Sequence, residues 1–208
     1  MSARQRIDVR SVAVIAAGYF AGLAAWPRLP GPFLDQALFA RGLVAFGLPT
    51  TALVIYTLFR SLWTHDRIRS GNGAFEATYA AIVFRVILFV VALHALVMAE
   101  MIGSYLPRVW AMRAVVLLLG LTFVAVGNLL PRTRPNVAIG VRTRQTLADA
   151  QMWTQVHRVG GYVTVFWGVV MAASAVALSG PVLGLAVSLS GVAAVAVLVA
   201  TYLRVARA

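Results

Sequence analysis

Apolar residues along this chain fall in long, nearly unbroken blocks, not in the alternating or three-to-four-residue rhythm of a soluble strand or surface helix. Six blocks reach the roughly 20 residues a helix needs to cross a bilayer, at 9–26, 39–62, 78–102, 109–130, 161–179 and 181–203. The pattern predicts an all-α fold: one membrane domain over residues 1–208, a bundle of about six transmembrane helices. The first block follows Arg4, Arg6 and Arg10 as a signal peptide would. Its run of about 17 apolar residues, with no small-residue cleavage site after it, points instead to a retained helix. Ser179-Gly180-Pro181 leaves almost no loop between the last two blocks and makes them antiparallel neighbours. The longest connection, 131–160, is too short to bury a core of its own.

One segment departs from the pattern. Residues 127–161 read GNLLPRTRPNVAIGVRTRQTLADAQMWTQVHRVGG and hold five arginines, two asparagines, a tryptophan and a histidine. Pro131 and Pro135 end the fourth span there, because each lacks a backbone donor and disfavours helix in the residue before it. Val137–Val141 is a short apolar stretch expected to dip into the membrane interface. Thr146, with Asp149 three residues on, reads as a helix cap. Leu147, Ala150, Trp153 and Val156 then recur on one side, and Gly160-Gly161 offers a left-handed stop. The expectation is a separate cytoplasmic interfacial helix between helices four and five, with Trp153 at the headgroup boundary. His157, one turn after Trp153, faces nearly the same way.

Composition agrees and adds orientation. Hydrophobic residues make up 61% of the chain and charged residues 12%, against about 25% charged in a soluble domain. All 18 basic residues are arginine. With the N-terminus inside, Arg4, Arg6, Arg10, Arg60, Arg67, Arg69, Arg132, Arg134, Arg142, Arg144, Arg158, Arg204 and Arg207 share the cytoplasmic side, whereas Arg28, Arg41, Arg108 and Arg113 lie opposite. Positive residues are retained inside, so both termini and the 127–161 segment are expected in the cytoplasm.

Candidate chemistry inside the bundle is sparse. The third span carries Arg85, His94 and Glu100, and ionisable groups at membrane depth are functional candidates by default. Each has a plainer reading: Arg85 snorkelling to the headgroups, His94 as a packing residue, and Glu100 paired with Arg108 or Arg113. Arg85 and His94, nine residues apart, fall on opposite helix faces and do not form one site. Gly18–Gly22 and Gly184–Ser188 are small-residue pairs that favour close helix packing and are compatible with a homo-oligomer. There are no cysteines, and the three histidines lack metal-ligand spacing, so no cofactor or metal is expected. Catalytic signatures such as HExxH or Gly-x-Ser-x-Gly are missing, and His157 as a general base would have no nucleophile at readable spacing. The chain is therefore read as a non-enzyme that does not contact nucleic acid.

Gly127, Asn128, Pro131, Arg132, Arg134, Pro135, Asn136, Gly140, Arg142, Thr143, Thr146, Leu147, Trp153, His157, Arg158, Gly160 and Gly161 stand in an order and spacing that resembles the SdpI-type (SdpI/YfhL) bacterial membrane proteins. That family is named for immunity against a secreted killing peptide. The resemblance implies a multi-pass protein of the bacterial inner membrane that protects against a toxic peptide or relays its presence to a cytoplasmic regulator. It makes Asn128, Arg132, Arg134, Asn136, Arg142, Thr143, Trp153, His157 and Arg158 the functional loop. The arginines would bind anionic lipid headgroups or an acidic partner, and the two asparagines would brace the backbone. Two features depart from the family pattern: Arg144-Gln145 replaces the usual Pro-Trp, and Leu29-Pro30 is followed through Asp35 by no histidine. A small transporter or lipid-handling protein using the polar residues of the third span is the alternative.

Overall fold

The computed structural model describes residues 3–29, 34–70, 76–103 and 107–207. The Pro30–Phe33 part of the departure at Leu29–Asp35 lies outside them. The described chain is helical, with α1 at Ala3–Ala25, α2 at Leu34–Ser70, α3 at Glu76–Met101, α4 at Arg108–Gly127, α5 at Arg144–Ala148, α6 at Ala150–Ala177 and α7 at Gly180–Ala206. Six of these are long and apolar enough to cross a membrane. The all-α, six-span expectation holds.

The helices form two units of three. α1, α2 and α3 pack on one another, α6 packs between α4 and α7, and α3 meets α4 where the units join. Outward faces carry large apolar side chains such as Phe20, Phe39, Leu121, Phe166 and Val192. Lipid solvates such faces as well as protein does, so close packing and internal hydrogen bonds must hold the bundle together.

Close packing is built from glycine. Pro49 lies inside α2, and its missing N–H frees the carbonyl of Ala45 one turn back. Gly22 of α1 sits against that carbonyl, where a Cβ would overlap the oxygen and lie 3.0 Å from its carbon. Gly18 meets the Pro49 ring. The Gly18–Gly22 pair thus joins α1 to α2 within the chain. Gly184 has open space around it and Ser188 is exposed, so that pair packs on nothing among the described residues.

Between α4 and α6 two glycine crossings recur seven residues apart. A Cβ on Gly120 would come within 2.7 Å of the Gly168 carbonyl, and one on Gly161 within 2.8 Å of the Gly127 carbonyl. Backbone meets backbone at both levels. Gly160 and Gly161 are therefore interior residues of a continuous α6, not the expected stop, and the amphipathic segment 150–159 is its first third. The separate interfacial helix reduces to the five residues of α5.

At the end of the bundle opposite the 127–161 segment, Arg113 donates Nε–H to the Ala175 carbonyl at 2.7 Å and a second N–H to Val176. Its guanidinium lies 4.7 Å over the Trp110 ring. Arg113 thus closes the carbonyl end of α6 and is not the expected partner of Glu100. The side chain of Arg108, the other proposed partner, lies outside the described residues.

Candidate functional site

Residues 128–149 form a hairpin folded over the start of α6. It begins with a 3-10 turn at Leu130–Arg132, in which Thr133 donates its hydroxyl to the Leu130 carbonyl at 2.7 Å. Asn136 is buried and ties the loop to itself: its amide donates to the Arg134 and Ile139 carbonyls at 2.7 and 3.1 Å. Its Oδ1 accepts from the Ala138 and Ile139 N–H groups at 2.9 and 2.7 Å. All the bonding capacity of that side chain is spent on backbone. The bracing role read for Asn136 is what the geometry shows, whereas Asn128 at the end of α4 has an exposed side chain.

Ile139, expected at the membrane interface, is instead buried in the core of the first unit with Tyr79, Ile82, Val83 and Leu129. An apolar run flanked by arginines reads as interfacial, but the Asn136 turn directs this one inward. Gly140 follows with φ +106°, a conformation an L side chain rarely adopts.

Trp153 and His157 form the seat on which the loop rests. Trp153 is 0% exposed and donates its indole N–H to the Thr133 carbonyl at 3.1 Å, with the Thr133 hydroxyl at 3.3 Å. Its ring faces the loop and not the lipid headgroups as expected, because its polar edge finds a partner inside the protein. The His157 imidazole stacks on it with ring centroids 3.8 Å apart. His157 Nδ1 lies 2.8 Å from the Trp153 carbonyl, and Nε2 accepts the Val141 N–H at 3.0 Å. Together these bonds fit the neutral ring with the proton on Nδ1. Both nitrogens are engaged with backbone, so His157 presents no free lone pair to a substrate. A Cβ on Gly140 would overlap Nε2, so the glycine also makes room for the ring.

The second arm closes with a reciprocal cap. Thr143 accepts the Thr146 N–H at 3.2 Å, and Thr146 accepts the Thr143 N–H at 2.9 Å while donating to Val141 at 2.7 Å. Thr143 is thus the cap of α5, and the expected Thr146 cap is displaced by one turn of chain. Asp149 caps α6, accepting from Gln151 and Met152 at 2.7 and 3.2 Å. Tyr202 of α7 donates to Gln145 at 2.9 Å and pins the arm from the side.

On this buried, uncharged frame the arginines point outward. Arg132, Arg134, Arg142, Arg144 and Arg158 are all exposed. Arg142 donates back to the Val137 carbonyl across the hairpin. The sequence-read loop residues therefore separate into a frame (Thr143, Asn136, Trp153, His157) and a basic surface. Thr133, Gly140, Gly127 and Gly161 complete the frame. Of these, the repeated seven-residue glycine spacing was the readable signal.

Residues 132–203 match the model of the SdpI/YfhL protein family. Over that segment, about a third of the chain, the protein is similar to the SdpI/YfhL family. The match begins in the hairpin and runs through α5 and α6 to the last turns of α7; α1 to α4 precede it. Searches of curated proteins and of solved structures give no match. Six helices long and apolar enough to cross a membrane, together with this match, support a multi-pass membrane protein.

The intramembrane candidates all lie on α3. Arg85 donates to the Ala81 carbonyl at 2.9 Å, one turn back toward the start of α3, in the direction snorkelling requires. His94 is 0% exposed, lies beside the Gly18 backbone, and has no hydrogen bond of good geometry at either nitrogen. Glu100 buries Oε1 without a partner.

Proposed function

We propose that the chain is a bacterial inner-membrane protein of the SdpI type, with both termini and the hairpin in the cytoplasm, that protects the membrane against a membrane-active toxic peptide or relays its presence to a cytoplasmic regulator. The observation carrying this reading is the hairpin itself: a buried neutral frame that commits its own polar groups to backbone and leaves Arg132, Arg134, Arg142 and Arg158 exposed. Such a surface suits anionic headgroups or an acidic partner, which guanidinium groups hold with charge-assisted and often bidentate bonds. The thirteen arginines on this side against four on the other support the cytoplasmic placement. The test is deletion of the gene, challenge with membrane-active peptides, and complementation. Arg142→Ala, at parental membrane levels, is expected to lose protection; full protection by that variant removes the hairpin from the mechanism.

A second reading, transport through the first unit, rests on the unpartnered ring of His94 and the buried Glu100 oxygen. Unpaired polar atoms at membrane depth are costly and mark candidate ion paths. Flux in vesicles that survives combined His94→Leu and Glu100→Leu replacement disposes of it.

A further inference from the structure

We propose that the cleft between the hairpin-side ends of α6 and α7 holds one anionic phospholipid, its acyl chain in the valley and its phosphate between Arg158 and Arg204. The cleft encloses about 540 Å³, with Val159, Val197 and Ala200 in its walls and Arg158, Arg204 and Gln155 around it. That volume lies within the range of small-molecule pockets, roughly 300–1,000 Å³, room for one acyl chain and not for a whole phospholipid. Small side chains at Ala200 and Thr201 on the α7 wall leave this space open.

Charge decides the occupant. No acidic side chain lines this cleft, and neither guanidinium has a hydrogen-bond or ion-pair partner among the described residues. Two like charges line one apolar groove, and guanidinium groups clasp phosphate oxygens in bidentate fashion. A neighbouring cleft of about 550 Å³ includes Asp149, Gln145 and Gln151 in its lining. Its carboxylate makes it the wrong sign for a phosphate. Position decides the form of the anion: the charged end lies at the beginning of α6 and the last turns of α7, where headgroups sit, and the apolar walls continue toward the membrane interior. A free phosphate would leave those walls uncovered. The inference stands whether or not the hairpin meets a peptide.

The test uses the full chain in an uncharged detergent with dioleoylphosphatidylglycerol, dioleoylphosphatidylcholine or inorganic phosphate added, read by thermal shift and by native mass spectrometry. Expected are retention of phosphatidylglycerol and a higher Tm with that lipid alone. The pair R158Q/R204Q is expected to lower its affinity about thirtyfold, the surface attraction of two arginines. Ala200→Trp keeps both charges but fills the valley, and should cost about tenfold by excluding the chain. R10Q/R207Q, the same charge loss at exposed sites outside the hairpin surface, should cost less than about threefold if the groove and not the general field holds the lipid. The Tm of each variant without lipid checks folding. Undiminished binding by R158Q/R204Q, an equal loss in R10Q/R207Q, or equal stabilisation by phosphatidylcholine or inorganic phosphate overturns the proposal.

Discussion

Gly140→Ala is the most informative single change, because one methyl group meets two independent obstacles. The backbone there has φ +106°, and holding an L residue in so sparsely populated a conformation costs about 1–3 kcal/mol. The new Cβ would also overlap His157 Nε2 and lie 2.6 Å from Cδ2, so the ring must leave. Its departure breaks the part-buried bond from Val141, about 0.5–1.5 kcal/mol, and it loses the stack on Trp153, about 0.5–1.5 kcal/mol. The total is roughly 2–6 kcal/mol. His157→Ala alone removes the same contacts without the strain and is expected to cost about 2–4 kcal/mol. With the ring already gone, the alanine at 140 has only strain left to impose. The double variant should therefore be about as stable as Gly140→Ala alone, a coupling of about 2 kcal/mol or more. Equilibrium unfolding of the full chain in mixed micelles, followed by tryptophan fluorescence, measures all three. A cost below about 1 kcal/mol for Gly140→Ala, or single costs that add to within about 0.5 kcal/mol, would refute the reasoning.

Trp153→Phe keeps the stacked ring but loses the indole donor to Thr133, and is expected to cost about 1–2 kcal/mol in the same unfolding assay; an unchanged stability would mean that bond contributes nothing. Gly161→Ala would press a methyl 2.6 Å from Pro131 Cδ, an overpacking expected to destabilise by about 1–3 kcal/mol, whereas alanine at Gly184, which has open space, should be neutral or slightly stabilising. The chain has no cysteine, so single-cysteine labelling gives topology directly. Arg142→Cys is expected to resist a membrane-impermeant thiol reagent added to intact cells and Arg28→Cys to react; the reverse pattern inverts the proposed orientation.

Legibility in the sequence followed the length scale of the signal. Twenty-residue apolar blocks have one common outcome, a spanning helix, and all six appear as helices long enough to cross. The i, i+4 spacing of Trp153 and His157 put their rings on one side, and they stack there. What the side faces was not legible: an apolar face on a helix near charges reads equally as lipid-facing or protein-facing until the partner loop is placed. Thr143 and Thr146 are both competent caps, and only the backbone chooses between them. Gly160-Gly161 carried two opposite meanings, a left-handed stop in a soluble helix and a close crossing in a membrane helix. Gly127 resolves it, because its carbonyl lies against Gly161 and leaves no room for a terminating turn.

These placements make the hairpin a joint between the two three-helix units, not an appendage of the second. Ile139 belongs to the core of α1, α2 and α3, while its neighbours Asn136 and Gly140 bear on the loop backbone and on the His157 ring of α6. One residue separates Ile139 from the Val141 N–H held by that ring. A displacement of α3 relative to α6 cannot be absorbed between these anchors, since the intervening backbone is fixed by the Asn136 side chain on one side and the glycine conformation on the other. It must either break the Val141–His157 bond or carry the arm bearing Arg142 with it. A ligand that displaced one unit against the other would disturb the exposed arginines with it, which is the coupling the proposed relay requires.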